Sequence, residues 1–540
     1  MPVTQDSSKP VDVVAQASMS PISDSAAVIK PAKATGMFTR LFAKRTRKIT
    51  RNKAAPAAAS AAAAPASATT QRSSNSTQAS SSSADSVVPT PIDFAYLRQQ
   101  TIGRDLFFPT PLGQMLLTYA DYTASGRSLG FIEARLHEVL SIYANTHTED
   151  STTGRVMGHM LHQAEQMIKK SVNAGPNGRL VTTQSTGATG AINKLQQIIG
   201  VYVPPATRQK MQESTLAYFN GDAERAAAYE RFVTDKSPVV FVGPYEHHSN
   251  EVSWRQGLCQ VEEIDLAANG GVDLFHLARL LQDAKYAGRQ RIVSISAASN
   301  VTGMITQVHQ VARLAHTHGA LCFFDFAASG PYVKIDMNPE GDPLGALDAV
   351  FLSPHKFLGG PGSCGALVFD QRIYNSSLAP TVGGGGTVEW VSANIADFNV
   401  DTEEREKSGT PGILQALRAG LAMELKDAVG LEAIHAREQA HLRRVFARWA
   451  EHGGVHVLGN NDPALRVGIV SFNVYDPRGR FLHFRLASVL LNDLFGIQSR
   501  AGCSCAGPYG HRLLQIDENK SERMLEQVRH GVKGIRPGWW

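Results

Sequence analysis

Asp348-Ala-Val-Phe-Leu-Ser-Pro-His-Lys-Phe-Leu-Gly-Gly-Pro-Gly-Ser-Cys-Gly365 is the segment with the clearest structural signal in this chain. The apolar run 349–352 predicts a buried strand, and the residues that follow predict a polar turn containing Lys356. A lysine in such a turn condenses with an aldehyde if its amine loses its proton. Ser353 and His355 flank the lysine with a hydroxyl and an imidazole, groups that can bind a phosphate.

A second apolar segment lies upstream and ends in a carboxylate. Residues 320–325 read Ala-Leu-Cys-Phe-Phe-Asp, which predicts a buried strand that ends at Asp325. A lysine that forms a Schiff base and an aspartate that pairs with a pyridinium nitrogen are the two groups that pyridoxal phosphate (PLP) requires. Taken alone, the two residues also fit a surface lysine and a helix-capping aspartate, so the interpretation depends on the rest of the chain.

Apolar strand patterns alternate with helical patterns through the middle of the chain. Buried strands are predicted at 239–242 and 291–296, and a short helix at 308–318 precedes the strand that ends at Asp325. This alternation predicts an α/β fold with a mostly parallel sheet. Further helices are predicted at 156–172, 412–426, 431–449 and 481–494, and a further strand at 467–474.

A turn of small residues opens the predicted helix that follows Gln184. Gly187, Ala188 and Thr189 stand at the point where free backbone N–H groups of a helix face an anion. Residues this small let the backbone approach a phosphate closely. The glycine turn is a weak indication by itself and gains weight only beside the lysine and the aspartate.

Composition excludes several classes of protein. Hydrophobic residues make up 43% and charged residues 19% of 540, which is ordinary for a globular protein with room for two or more domains. Residues 1–90 contain 11 Lys+Arg and 4 Asp+Glu, a charge of +7, so the total of +5 leaves −2 for the remainder. The sequence therefore predicts no nucleic-acid binding. It predicts no transmembrane segment either, because no apolar run reaches about 18 residues.

Residues 1–90 are rich in Ala, Pro and Ser, and their composition predicts a disordered low-complexity arm. A basic stretch within it, 37–53, fits an organelle-targeting segment, a membrane-surface contact or a solvated tail. The compartment is thus left open between the cytoplasm and an organelle. Five sparse cysteines argue against a disulfide-stapled secreted protein, and the pair Cys503 and Cys505 is too close in sequence to form a metal site, so none is predicted.

The motif Ser353-Pro-His-Lys356 resembles the Ser/Thr-x-His-Lys motif of the class V aminotransferase family of PLP enzymes, especially cysteine desulfurases. The resemblance runs from about Tyr119 to about Gly538. It implies the PLP type I fold and a homodimer. The domains expected after the arm are a large PLP-binding domain, 91–425, and a smaller C-terminal α/β domain, 426–540.

The resemblance also implies roles for individual residues. Lys356 would carry the cofactor and move protons, Asp325 would hold the pyridinium, and His247, from Glu-His-His, would stack on the ring and handle protons. Thr189 would contact the phosphate, with Gly187 and Ala188 in the same turn and Ser353 and His355 nearby. Asn300, from a Ser-Asn-x-x-Gly turn, would contact the cofactor's 3′-oxygen and the substrate carboxylate.

Two further motifs imply contacts across a dimer interface. Tyr143-Ala-Asn-Thr-His-Thr148 is similar to the loop that approaches the cofactor from the partner subunit, which makes Asn145 a substrate-binding candidate; the alternative is a polar loop between helices. Thr410 matches the threonine that reaches the phosphate from the partner subunit. In the same motif, Lys407 replaces the family's glutamate.

Arg500-Ala-Gly-Cys-Ser-Cys-Ala-Gly507 resembles the desulfurase loop Arg-x-Gly-x-x-Cys-Ala. By this alignment Cys505 is the cysteine that accepts sulfur as a persulfide, and Arg500 binds the substrate carboxylate. An arginine nearby favours a thiolate and clamps a carboxylate with two hydrogen bonds. A structural Cys-x-Cys turn is the alternative. The loop also resembles the N-terminal domain of molybdenum cofactor sulfurases, whose further C-terminal domain is not in this sequence.

Two departures from the family pattern affect the predicted function. Asp325-Phe-Ala-Ala328 lacks the Gln or His that hydrogen-bonds the cofactor's phenolic oxygen. The sequence also ends before a strand that carries a second carboxylate-binding arginine, which predicts a truncated small domain. The leading hypothesis is sulfur transfer from L-cysteine or a related amino acid through a persulfide to an acceptor protein. The alternatives are a PLP-dependent C–S lyase or aminotransferase, a molybdenum cofactor sulfurase-like protein, and a catalytically impaired homologue.

Overall fold

The computed structural model describes residues 92–539. The predicted disordered arm, with its basic stretch 37–53, lies outside the described residues. Within the described part, no helix is both long and apolar enough to cross a membrane.

The helices and strands of the described chain alternate through its central part. The helices are α1 (Phe94–Gln100), α2 (Gly130–Leu140), α3 (Thr152–Ser171), α4 (Gly187–Ile198), α5 (Pro205–Tyr218), α6 (Ala223–Lys236), α7 (Val252–Arg255), α8 (Leu274–Gln282), α9 (Val308–Thr317), α10 (Thr402–Glu406), α11 (Ile413–Val429), α12 (Leu431–Ala450), α13 (Phe484–Phe495), α14 (Gly507–Leu513) and α15 (Glu518–Arg529). The strands are β1 (Phe107–Thr110), β2 (Gly113–Leu116), β3 (Thr118–Tyr119), β4 (Gly178–Thr183), β5 (Val239–Val242), β6 (Gln260–Glu263), β7 (Arg291–Ser296), β8 (Leu321–Asp325), β9 (Ala349–Leu352), β10 (Gly365–Asp370), β11 (Val388–Val391), β12 (Ala396–Phe398), β13 (Val455–Val457), β14 (Phe472–Val474) and β15 (Ile497–Gln498).

A seven-stranded sheet forms the centre of the fold, in the order β4-β10-β9-β8-β7-β5-β6. Strands β6, β5, β7, β8 and β9 pair in parallel, whereas β10 runs antiparallel to both of its neighbours. The sheet is therefore mixed but mostly parallel. This confirms the predicted α/β class and the PLP type I fold.

Both faces of the sheet are covered, which explains why its strands are apolar without alternation. All four residues of β5 and of β9 are buried. Phe324 and Val350 belong to the core on one face, and Phe323 and Phe351 belong to the core on the other. On the first face α11 packs closely against α3. The two helices are so close at Gly420 that a Cβ there would lie 3.0 Å from the Ala164 backbone.

The C-terminal part contains α12, the antiparallel pair β13–β14, α13 and the cysteine-containing loop. The strand predicted at 467–474 is wrong over its first half, because residues 466–469 form a turn. The Ile469 N–H donates to the Val467 carbonyl at 2.7 Å, and the Arg466 side chain donates to the Ile469 carbonyl at 2.7 Å. Helix α11 crosses the predicted boundary at residue 425, and the division into domains 91–425 and 426–540 stays a prediction.

Candidate active site

A pocket of about 320 Å³ lies at the carboxyl ends of the parallel strands β5, β7, β8 and β9. This is the edge of an α/β sheet at which ligands bind. The predicted site residues that line it are Ala188, Thr189, His247, Asn300, Asp325, Ser353, His355, Lys356 and Arg500. Residues from six different motifs thus converge on one cavity.

Lys356 ends a short 3₁₀ turn, Pro354–Lys356, that directly follows β9. Burial lowers the pKa of the Lys356 amine; the Asp325 carboxylate opposes this shift, and the Arg500 guanidinium adds to it. A lowered pKa increases the fraction of neutral amine, which is the form that attacks an aldehyde. The two functional groups on which the sequence prediction depends therefore meet in one pocket.

Asp325 is the last residue of β8 and is only 4% exposed. Its Oδ1 accepts a hydrogen bond from the Ala327 N–H at 2.8 Å, which fixes the carboxylate at the pocket wall. Burial raises the pKa of Asp325, and the Ala327 N–H and the Lys356 charge oppose that shift. A buried carboxylate of this kind is stabilised by a protonated ring nitrogen, the partner that PLP provides.

His247 follows β5 and is held in one tautomer by the backbone. Its Nδ1 lies 3.2 Å from the Ser249 N–H, which can only donate, so Nδ1 is the acceptor and a neutral ring carries its proton on Nε2. Burial lowers the pKa of His247 to about 4, and the nearby Lys356 adds to that shift. The imidazole is therefore neutral at physiological pH.

The turn that opens α4 has the shape expected of a phosphate cradle. Gly187 has a φ of 58°, and a Cβ there would lie 2.7 Å from both Ser353 Oγ and His355 Cε1. The Ala188 N–H donates to Ser353 Oγ at 2.9 Å, and the Thr189 hydroxyl lies 2.6 Å from that of Ser249. Only glycine fits at position 187 of this turn. The hydroxyl groups and the N-terminus of the helix suit the phosphate group of PLP.

The loop that contains Cys505 is fastened to the pocket from two sides. The Asn300 side chain donates to the Ser504 carbonyl at 2.6 Å, and the His248 N–H donates to the Cys505 carbonyl at 2.8 Å. The Gly507 N–H donates to His248 Nε2 at 3.0 Å. Ser504 lines the pocket, and Cys505 is the next residue along the chain.

Three functional contacts were missed by the sequence interpretation. His248, the second histidine of the doublet, connects the β5 segment to the cysteine loop as described above. Asp121 is half-buried, its Oδ1 has no hydrogen-bond partner among the described residues, and its carboxylate interacts with Arg500 and Lys356. Glu246 accepts from the Ser296 N–H and hydroxyl, both at 2.7 Å, and so braces the histidine segment. His248 and Glu246 stand in the Glu-His-His motif, but the sequence alone did not reveal the partners of these two residues or of Asp121.

Asn145 and Thr410 lie together, but away from this pocket. The Asn145 amide donates to Thr410 Oγ1 at 3.1 Å, both residues are exposed, and neither lines the cavity. Their predicted roles, which depend on a partner subunit, stay predictions. Lys407, which replaces the family's glutamate, forms a buried ion pair with Glu165 at 3.0 Å and a second ion pair with the exposed Glu404 at 2.7 Å.

Ala328 lines the pocket and is 7% exposed, in an apolar cluster with Ala298 and Ile469. Its methyl group offers no hydrogen bond to a ligand. The first predicted departure from the family pattern therefore falls on the wall of the cavity itself.

Residues 225–524 match the sequence model of the family described as Aminotransferase class-V. The chain belongs to this family, whose members are in general PLP-dependent enzymes. This confirms the family predicted from the Ser-Pro-His-Lys motif.

Within that family the chain is cysteine desulfurase-like. It is 26% identical over 397 residues to a probable cysteine desulfurase of Halalkalibacterium halodurans, covering 73% of this chain and 84% of the relative. It is 28% identical over 341 residues to a cysteine desulfurase of Dickeya dadantii, covering 61% and 76%. An apo cysteine desulfurase structure from Thermococcus onnurineus superposes with a TM-score of 0.61 at 20% identity, covering 83% of this chain and all of the other, which supports the shared fold.

Proposed function

We propose that this protein is a PLP-dependent, cysteine desulfurase-like enzyme that moves sulfur from L-cysteine or a related amino acid to Cys505. The observation that carries the proposal is the single pocket in which Lys356, Asp325 and His247 meet Arg500 beside the cysteine loop. In this proposal Lys356 holds the cofactor, Asp325 pairs with its ring nitrogen, and the Gly187–Thr189 turn with Ser353 and His355 holds its phosphate.

When bound, PLP withdraws electrons from the carbon skeleton of the substrate and so makes the substrate's sulfur open to attack. Lys356 Nζ takes up and returns a proton, a role that its lowered pKa favours. Neutral His247 offers its Nε2–H to the pocket, while Arg500 and the Asn300 amide bind the substrate carboxylate.

Cys505 would perform the sulfur transfer. Its thiolate attacks the substrate's thiol sulfur, so that a sulfur–sulfur bond forms and the carbon–sulfur bond breaks, with the electron pair remaining on carbon. Anchoring by His248 and Asn300 supports this role, because it keeps the cysteine next to the pocket. An acceptor protein would then remove the sulfur from Cys505.

The experiment that tests the function measures alanine and sulfide release from L-cysteine by the full chain with added PLP and a reductant. We expect equimolar products from the wild type and their loss in Cys505→Ala. A PLP-dependent C–S lyase or aminotransferase would keep turnover in Cys505→Ala, and that result would contradict the sulfur-transfer proposal.

A second candidate, a catalytically impaired homologue, is favoured by one observation. Ala328 places a methyl group on the pocket wall where the family has a hydrogen-bonding side chain. This candidate binds PLP but turns over no amino acid. Ala328→Gln separates the two proposals, because it should create activity in an impaired homologue and change an active desulfurase little.

A further inference from the structure

A second pocket, of about 640 Å³, lies behind the active-site pocket and shares only Lys356 with its lining. It is enclosed by α1, the segment around β3, the end of α11 and the first half of α12. Its volume falls within the range of about 300–1,000 Å³ that small-molecule sites occupy. None of the site residues discussed above, except Lys356, contributes to it. We call it the basic pocket.

The lining of the basic pocket carries charge of one sign. Besides Lys356, its cations are Arg98, Arg104, Arg127, Lys426 and Arg437, and no carboxylate of the described chain lines it. Of these five, only Arg104 forms an ion pair within the part of the chain that the structure covers, with Asp105 at 2.8 Å. Like charges that converge on a concave, partly apolar wall attract an anion.

Lys426 gives this pocket a buried charge. It is 5% exposed, and its Nζ donates to the Val333 carbonyl at 2.5 Å and lies 5.8 Å from the Phe357 ring centre. Burial lowers the pKa of Lys426 to about 8. The adjacent carboxylate, Asp427, opposes that shift, but it forms no ion pair with Lys426 within the described residues and does not line the pocket. An ammonium buried beside apolar walls without a carboxylate pair is costly, and a bound anion would offset that cost.

The remaining wall is apolar. Phe94 and Leu97 of α1 face the pocket together with Leu425, Val429 and Ile434. The guanidinium of Arg437 lies 5.4 Å from the Phe94 ring centre, and that of Arg127 lies 5.0 Å from the Tyr119 ring centre, so the cations are layered onto apolar surface. This combination suits a molecule with an apolar body and an anionic head group.

We propose that the basic pocket binds a small amphipathic anion, an apolar body that carries a carboxylate or a phosphate. The proposal is independent of the sulfur-transfer chemistry, since its lining residues other than Lys356 take no part in that site.

The test is isothermal titration calorimetry of the full-chain protein with four ligands of equal chain length below their micelle concentrations. They are decanoate, decyl phosphate, uncharged decanol and decyltrimethylammonium. We expect one decanoate or decyl phosphate per chain and no saturable binding of the cation. The comparison of decanoate with decyl phosphate identifies the preferred head group.

Two variants locate the site. Lys426→Met should weaken binding of the anion at least about tenfold. The double variant Arg98→Gln/Arg437→Gln alters only exposed charges at the rim of the pocket. It should weaken binding of the anion and reduce the salt dependence of that binding. It keeps the proposal testable if Lys426→Met folds poorly. Arg448→Gln is the matched control, because Arg448 lies on α12 but is exposed and pairs with Glu451.

Three results would overturn the proposal. They are failure of both anions to bind, binding of decyltrimethylammonium equal to that of the anions, and equal weakening of binding by Arg448→Gln and Lys426→Met. The titration is run with saturating PLP, which keeps the anions out of the proposed phosphate cradle. Visible absorbance, read separately, reports failure of the proposed cofactor site and so distinguishes it from failure of anion binding.

Discussion

At the scale of single residues, the geometry of the pocket depends on Gly187. Its φ of 58° and the 2.7 Å approach of Ser353 Oγ to its absent Cβ exclude other residues for two separate reasons. Gly187→Ala should therefore destabilise the fold by about 1–2 kcal/mol through the backbone alone. It should also weaken PLP binding by at least about tenfold, because the methyl group enters the phosphate cradle.

Gly200 supplies the matched control for this prediction. It lies just beyond the other end of α4 with a φ of 76°, and nothing lies within 4 Å of its ideal Cβ. Gly200→Ala should lower the melting temperature similarly and leave PLP affinity unchanged, as measured by fluorescence titration. Equal loss of PLP affinity in both variants would show that Gly187 does not form the cradle.

His247 gives a prediction about pH. Its pKa is about 4 in the folded chain and 6.5 as a free group, so the unfolded chain takes up a proton first as the pH falls. Stability is therefore lost on acidification between these values. From about pH 7.5 to pH 5, this one residue should remove about 2 kcal/mol of unfolding free energy. Urea unfolding of the wild type and His247→Asn measures the difference.

His247→Asn keeps an acceptor for the Ser249 N–H and removes the titration. The variant should lose less stability than the wild type over the same pH interval, whereas the exposed control His435→Asn should follow the wild type. Parallel pH dependence of all three proteins would contradict a buried, neutral His247.

At the scale of elements, the cysteine loop depends on contacts between segments far apart in sequence. His248 holds the loop through the Cys505 carbonyl and the Gly507 N–H, although residues 248 and 507 are 259 positions apart. We expect His248→Ala to lower kcat for sulfur transfer about tenfold by loosening Cys505, with PLP binding unchanged. The substitution removes only the contact to the Gly507 N–H, because the contact to the Cys505 carbonyl is made by the His248 backbone.

A positioning role for His248 has readouts that a general loss of stability does not. Alkylation of Cys505 by iodoacetamide should become faster in His248→Ala, and His248→Gln should restore part of kcat because its side-chain oxygen can accept from Gly507. Loss of PLP absorbance in His248→Ala, or unchanged alkylation, would contradict this assignment.

The strands of the central sheet could be predicted because they are short, apolar and covered on both faces. The predicted limits 239–242, 291–296 and 349–352 coincide with β5, β7 and β9. The C-terminal strand could not be predicted as well, since Val467 and Ile469 are apolar but are held in a turn by Gly303 and Arg466. That turn is set by contacts between distant segments rather than by local propensity.

The candidate site shows the same contrast between residues in local motifs and residues that depend on distant contacts. Lys356, Asp325 and Arg500 stand in motifs that are recognisable in sequence, and they line one pocket. Asp121 and His248 act through partners elsewhere in the chain, which no local pattern identifies. The basic pocket was missed entirely because its cations other than Lys356 come from four separate segments, none of them a motif.

At the scale of the whole molecule, the resemblance predicts a homodimer in which Asn145 and Thr410 serve the partner subunit's pocket. Their mutual hydrogen bond at 3.1 Å on an exposed surface, away from the pocket of their own chain, is compatible with that arrangement. We expect light scattering after gel filtration to give twice the subunit mass of 58.2 kDa. Thr410→Val should weaken PLP binding severalfold without dissociating the dimer.

The exposed control for this prediction is Thr317→Val, at the end of α9. A monomeric protein that binds PLP with full affinity would contradict the dimer proposal. Equal PLP affinity in the wild type and Thr410→Val would contradict the contact with phosphate while leaving the dimer intact.

The central claim is that the amine of Lys356 carries the cofactor. The most direct measurement is borohydride reduction of the PLP-treated protein, followed by peptide mass mapping. We expect a phosphopyridoxyl group on Lys356 and loss of visible absorbance in Lys356→Ala, with absorbance retained in Lys426→Met. A label on Lys426, which is also buried and has a lowered pKa, or retained colour in Lys356→Ala, would contradict this expectation.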